Sequence, residues 1–214
     1  MKKTEDVLLT LSKIILASAS PRRQAILRQL GIDFEVIAPN ISENIDSDCE
    51  PKEFACRLSE IKADDVASKL AGDAIVIAAD TIVVINDAIL GKPASHCEAI
   101  DMLKQLQGSW HRVITGFTVI DTSGHIEKLI SYETTEVKMR ALTDEEIEAY
   151  VDSGEPFDKA GGYGAQGIGA LLVEEIRGCY FNIIGLPVAK LNKELSAAGI
   201  NLLSMQDFNK KNEN

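Results

Sequence analysis

The apolar positions of this chain fall into short runs separated by segments with helical spacing. "KIILA", from Lys13 to Ala17, is continuous enough for a buried strand. A helix is predicted next, from Pro21 to about Leu30, with Ser20 as its N-cap and Gly31 as its stop. "FEVIA" alternates and predicts a second strand, followed by a polar, acidic loop from Pro39 to Glu50. The longest helical pattern runs from Pro51 to about Leu70, with Phe54, Leu58, Ile61 and Val66 near one face and Gly72 beyond its end. "AIVIAAD" is an apolar run that stops at Asp80, as in a strand covered on both faces. "TIVVINDAIL" predicts a hairpin with Asn86 and Asp87 at the turn. Ser95 can cap a helix to about Leu106, and two β-rich segments, "WHRVITGFTVID" and "IEKLISYETTEVKMR", meet at "TSG". "TDEE" from Thr143 is a capping-box pattern opening a helix to about Val151. A glycine-rich stretch, "LLVEEI", "YFNIIG" and a helix from Pro187 to about Ala198 complete the chain. No repeat or long biased linker interrupts it, and the alternation predicts an α/β fold with a mixed sheet.

Composition narrows the function. The chain is 45% hydrophobic and 26% charged, the balance of a soluble globular protein, and no apolar run nears the roughly 20 residues of a membrane span. Glu5 and Asp6 in "MKKTEDVLLTLSK" argue against a signal peptide. Cys49, Cys56, Cys97 and Cys179 form no C-x-x-C pair or zinc pattern and read as reduced thiols of a cytoplasmic protein. His96, His111 and His125 are scattered, and each reads as a surface or turn residue with no metal. The net charge of -11 argues against a nucleic-acid polymer as partner, but not against a small anion met by a local cluster of cations.

"SASPRR" is such a cluster. Arg22 and Arg23 fall in the first turn of the predicted helix, beside the positive end of its dipole, where they cost a few tenths of a kcal/mol up to roughly 1 each. That placement makes sense if the free N–H groups and both guanidinium groups meet a polyphosphate. The bland alternative has the arginines in solvent or paired with acidic residues elsewhere. Asp80, placed at a strand end, can hold a divalent metal or take a proton from water, or it can simply cap the strand. The predicted hairpin returns "GKP", with Lys92, toward Asp80. "GEPFDKAGGYGAQG" has five glycines in 14 residues, lacks the P-loop pattern, and suits a loop packed against a ligand. Within it Gln166 can both donate and accept hydrogen bonds, as reading a base or orienting water requires.

Together, "SASPRR", "ADTIV", "GKP" and "GEPFDKAGGYGAQG" resemble the Maf family of nucleoside triphosphate pyrophosphatases, from about Lys13 to about Ala198. The resemblance implies a long mixed, twisted sheet flanked by helices, with two lobes and a central cleft, distantly like the inosine-triphosphate pyrophosphatases. It implies a single catalytic domain over 13–203, between an N-terminal extension, 1–12, and a polar tail, 204–214. It also implies cleavage between the α- and β-phosphates with a divalent cation, magnesium by default and manganese or cobalt as alternatives. By position, Asp80 matches the family's catalytic base, and Arg22, Thr81 and Gln166 match positions tied to substrate choice. Arg23, Lys62 and Lys92 match phosphate-binding cations, Ser18 and Ser20 the small hydroxyl residues before them, and Glu43 an acidic metal ligand beside Asp80. Thr81 and Gln166 resemble the branch acting on dTTP and UTP. Cys179 in "RGCYFN" departs from the more usual serine. The alternatives are a 7-methyl-GTP or modified-nucleotide pyrophosphatase, and a nucleotide-binding regulator of septum formation. The resemblance further implies a cytoplasmic homodimer that acts on a nucleoside triphosphate and binds no membrane.

Overall fold

The structure is a computed structural model and describes residues 13–41 and 49–203. The predicted extension 1–12, the tail 204–214 and Glu43 lie outside the described residues. The elements, in order, are β1 (Lys13–Leu16), α1 (Pro21–Gln29), β2 (Glu35–Val36), α2 (Pro51–Ala67), β3 (Ala74–Ile85), β4 (Ala88–Leu90), α3 (His96–Leu106), β5 (Trp110–Asp121), β6 (Leu129–Met139), α4 (Asp144–Asp152), β7 (Val173–Arg177), α5 (Tyr180–Ile184) and α6 (Val188–Ala197). Three short 3-10 turns, Glu155–Asp158, Ala160–Gly162 and Gly167–Leu172, carry the chain from α4 to β7.

The sheet is mixed, in the order β2-β1-β3-β5-β6-β7, with β4 also on β3. β1 runs parallel to β2 and β3, and the other pairings are antiparallel. One edge of β3 is shared by two strands. β1 pairs with it as far as Ile77, and β4 takes over at Val83. Between them Ala78 to Ile82 face no strand on that side among the described residues, while β5 pairs the opposite edge throughout. This gap contains Asp80, so the strand does not stop there as the apolar run suggests. Asp80 is a charged residue in mid-strand, and the predicted hairpin arm is the second half of the same strand.

Strand periodicity assigns the two faces. Ala74, Val76 and Ala78, then Ile82 and Val84, pack toward α2 through Ala63 and Val66, and through Ala55. On the other face Ile75, Ile77 and Ala79 meet Leu27 of α1, Ile184 of α5 and Leu191 of α6. Val83 and Ile85 meet a second cluster built from Leu103 of α3 and Ile147 of α4. The two clusters form the predicted two lobes, with Thr81 at the seam between them.

Local chemistry explains most elements. Asn86 and Asp87 both have positive φ, 48° and 63°, as a two-residue hairpin turn requires. Thr143 and Glu146 form the predicted capping box at the start of α4. "FEVIA" contributes only the two residues of β2 to the ladder, because it lies at the sheet edge with a partner on one side alone. "YFNII" is the short helix α5. Ser20 occupies the N-cap of α1 without a side-chain cap bond; its N–H instead donates to Ser18 Oγ at 3.2 Å.

Gly116 of β5 lies directly opposite Asp80. A Cβ there would stand 2.4 Å from the carbonyl carbon and oxygen of Ala55 and 2.5 Å from the Cys56 nitrogen, all backbone of α2. The missing side chain therefore lets α2 rest on the sheet beside the carboxylate. Gly116→Ala is expected to lower stability by about 1–3 kcal/mol, since backbone cannot yield as a side-chain tip can. Chemical denaturation checks this, and a loss below about 0.5 kcal/mol would show that α2 does not depend on the close approach.

Candidate active site

A cavity of about 610 Å3 opens at the gap in the β3 edge. The turn after β1, the first turn of α1, the turn after β4 and the glycine-rich segment all reach it, bringing Ser18, Ser20, Arg22, Arg23, Lys62, Asp80, Thr81, Lys92 and Gln166 to one place. Every predicted site residue except Glu43 thus lines a single cavity. Phe54, Leu58, Ile82 and Leu90 add an apolar wall.

Lys62 of α2 donates from Nζ to Asp80 Oδ1, and the two side chains are only 10% and 14% exposed. Pairing offsets the cost of burying either charge. Asp80 lines the cavity, and its Oδ2 makes no hydrogen bond with the described residues, so one oxygen is held and the other is not.

The two arginines of "PRR" behave differently. Arg23 turns inward. It donates from Nε to the Gly185 carbonyl at 2.8 Å, from Nη1 to Ser18 Oγ at 3.2 Å and from Nη2 to Thr81 Oγ1 at 3.1 Å. Thr81 Oγ1 also shares a hydrogen bond with Thr115 Oγ1 at 2.9 Å, and Thr115 donates to the Asn182 carbonyl. Thr81 therefore orients Arg23 as well as lining the cavity. Gly185 has φ 111°, and a Cβ there would crowd Arg23 Nε at 3.2 Å. Arg22 takes the bland course in part: it pairs with Asp158, Nη1 to Oδ2, at 2.9 Å. Lys92 is exposed and makes no ion pair among the described residues.

The glycine-rich segment is packed, as its apolar residues imply. Glu155 accepts from the N–H groups of Ile168 and Gly169 and from the Tyr150 hydroxyl, closing the segment on itself. Gly161, at φ 68°, donates to the Gly91 carbonyl at 2.9 Å and leaves a Cβ no room against Val83. Gln166 is exposed on the cavity lining.

Several residues were not singled out by sequence. Asp158 and Lys159 lie inside a recognised motif, but only their pairing with each other and with Arg22 gives them a place in the cavity. Burial alone would raise the pKa of Asp158, but the hydrogen bond from Lys159 and the charges of Arg22 and Lys159 hold it below the ordinary carboxylate value. His111 corrects the surface assignment. It is 3% exposed, and its Nε2 shares a 2.5 Å hydrogen bond with the hydroxyl of Tyr163, a cavity residue. The signal was the alternation around it, since His111 and Val113 are buried while Trp110 and Arg112 are not. Among the described residues no three His, Cys, Asp or Glu side chains gather as an all-protein metal cage would require. No helix among them is long and apolar enough to cross a membrane.

Comparison with known proteins identifies the family. Residues 13–198 match the family described as Maf-like protein. The chain belongs to the Maf-like family. It is 47% identical to a dTTP/UTP pyrophosphatase of Acetivibrio thermocellus, over 89% of this chain and 98% of that one. A dTTP/UTP pyrophosphatase of Thermoanaerobacter sp. is 52% identical over 84% of this chain and 93% of that protein. One from Alkaliphilus oremlandii is 50% identical over 90% and 100%. Among solved structures, the Staphylococcus aureus Ham1 protein superposes with a TM-score of 0.46 at 15% identity, over 76% of this chain and 80% of that one. In this Maf-like chain the motifs that carried the resemblance are the segments that line the cavity.

Burial pushes the His111 pKa down from 6.5 to about 4. A depressed histidine stabilises the fold fully above its unfolded pKa and loses that contribution as the pH falls toward the folded value. Stability should therefore fall between about pH 6.5 and pH 4, by up to about 3 kcal/mol from this group. Urea unfolding of the wild type and His111→Gln across this window measures it. The variant should show a correspondingly smaller fall, and parallel curves would contradict the assignment.

Proposed function

We propose that the protein hydrolyses dTTP and UTP to the nucleoside monophosphate and pyrophosphate. The observation that carries the reading is the Lys62–Asp80 pair exposed to the cavity through the β3 gap, with Arg22, Arg23 and Lys92 lining the same space. The names of the relatives, at about half identity over most of the chain, supply the substrate class.

Each residue has a role that its position permits. Lys92, Arg22 and Arg23 meet the phosphate oxygens, with backbone N–H groups at the start of α1 contributing to the same anion site. Lys62 fixes Oδ1 of Asp80, so Oδ2 is presented in one orientation. Asp80 accepts a proton from water as the water oxygen bonds to the α-phosphorus. The bond from that phosphorus to the α–β bridging oxygen breaks, and pyrophosphate leaves with the electron pair. The surrounding cations stabilise charge on the phosphoryl oxygens. Uracil and thymine present an imide edge with acceptor, donor and acceptor in a row, and the Gln166 amide has groups to match it.

A magnesium ion fits the donor set. One available carboxylate is too little for an all-protein cage, but magnesium is commonly held by one or two carboxylates together with substrate phosphates. Asp80 would hold it here with the triphosphate, and Glu43 is the proposed second carboxylate. Bound there, the ion would neutralise phosphate charge and polarise the scissile group.

Pyrophosphate release from a panel of nucleoside triphosphates, with magnesium or EDTA, tests the reading. Magnesium-dependent turnover of dTTP and UTP is expected, reduced at least about 100-fold in Asp80→Asn. Turnover confined to 7-methyl-GTP would overturn the substrate assignment, and full activity in Asp80→Asn would overturn the role of the carboxylate.

A further inference from the structure

Asp158, like Asp80, is an acid in a cavity whose proposed ligand is an anion. It ends the 3-10 turn Glu155–Asp158, lines the cavity, and its side chain is 61% exposed. Both of its carboxylate oxygens are nevertheless engaged. Oδ2 accepts from Arg22 Nη1 at 2.9 Å, and Oδ1 accepts from Lys159 Nζ at 2.7 Å. Arg22 Nη2 also donates to the Asp158 carbonyl at 3.3 Å. One carboxylate, 136 positions from Arg22 along the chain, thus sits between a guanidinium from α1 and an ammonium from the glycine-rich segment.

A phosphate would be held in the same way, by a guanidinium fork and a point charge that donate to separate oxygens. We propose that Asp158 is an internal stand-in for a substrate phosphate. It keeps Arg22 and Lys159 in place while the cavity is empty, yields them when a polyphosphate chain enters, and retakes them as pyrophosphate leaves. The proposal rests on reading the cavity as a triphosphate site, and it adds a residue that sets how tightly that site holds its substrate and product.

The anchoring of the two cations fits an exchange of this kind. Lys159 is held independently of Asp158, since its Nζ also donates to the Glu155 carbonyl at 2.6 Å and its side chain is only 12% exposed. It keeps its place when the carboxylate moves. Asp158 is the exposed member of the group, and an exposed ion pair is weak enough for a highly charged ligand to replace. A carboxylate left close to the bound phosphates would repel them, so its presence lowers the affinity for any polyphosphate, product included.

Asp158→Asn removes the charge and keeps an oxygen that can accept from Arg22. Calorimetric binding of inorganic tripolyphosphate and of pyrophosphate, with magnesium and with EDTA, is measured beside steady-state hydrolysis of dTTP. Both anions are expected to bind about three- to fivefold more tightly to the variant, the worth of an exposed ion pair. KM for dTTP should fall by a similar factor, and kcat should change less than KM. Unchanged or weaker binding of both anions would overturn the proposal, as would a lower kcat at constant KM, which would place Asp158 in the chemical step. If the wild type hydrolyses dTTP and the variant binds the anions no more tightly, the stand-in role fails alone. Tighter anion binding by the variant, in a protein whose wild type does not hydrolyse dTTP, would retain the stand-in role and reject the proposed activity.

Discussion

A carboxylate in the middle of an apolar strand costs several kcal/mol unless an opposite charge meets it in the same low-dielectric place. In this protein Lys62 meets Asp80, and much of the surrounding structure serves that contact. α2 must lie close enough to β3 for the lysine to reach, and the bare backbone of Gly116 permits it. Ala55, which rests on Gly116, precedes Lys62 by about two helical turns and so shares its face of α2. The strand must also carry the carboxylate where one of its two edges is left uncovered by the described strands. The division of one β3 edge between β1 and β4 provides that opening.

The remaining parts of the site follow from the same gap. β1 ends at one side of it and releases the chain into the "SASPRR" turn, while β4 ends at the other and releases it toward Lys92. Arg23 then ties the turn after β1 to Thr81 of β3 and to Gly185 after α5, which fixes the seam where the two lobes meet. The glycine-rich segment closes the cavity from the second lobe, held by Glu155 and by the hydrogen bond from Gly161 to Gly91. Sheet topology makes the opening, and local turns bring the charges to it.

The sequence was most legible where the chemistry is local. The Asn86–Asp87 turn and the Thr143 capping box depend on residues a few positions apart, and both form as their composition predicts. Residues of all four motifs line one cavity. What depends on distant partners was not legible. A charge after an apolar run normally marks a strand end, and only Lys62, 18 positions away on α2, allows β3 to continue through Asp80. The pairing of Arg22 with Asp158 spans 136 positions, so the helix-start pattern could not show which arginine is held and which turns inward. His111 reads as a scattered polar residue until β5 places it among inward-facing positions beside Tyr163.

In the proposed reaction Asp80 directs a water to the α-phosphorus. Hydrolysis of dTTP in water enriched in oxygen-18, with mass analysis of both products, tests it most directly. The heavy oxygen is expected in the nucleoside monophosphate, with none in the pyrophosphate. Label recovered in pyrophosphate would mean attack at the β-phosphorus, and the placement of the carboxylate in this reaction would be wrong.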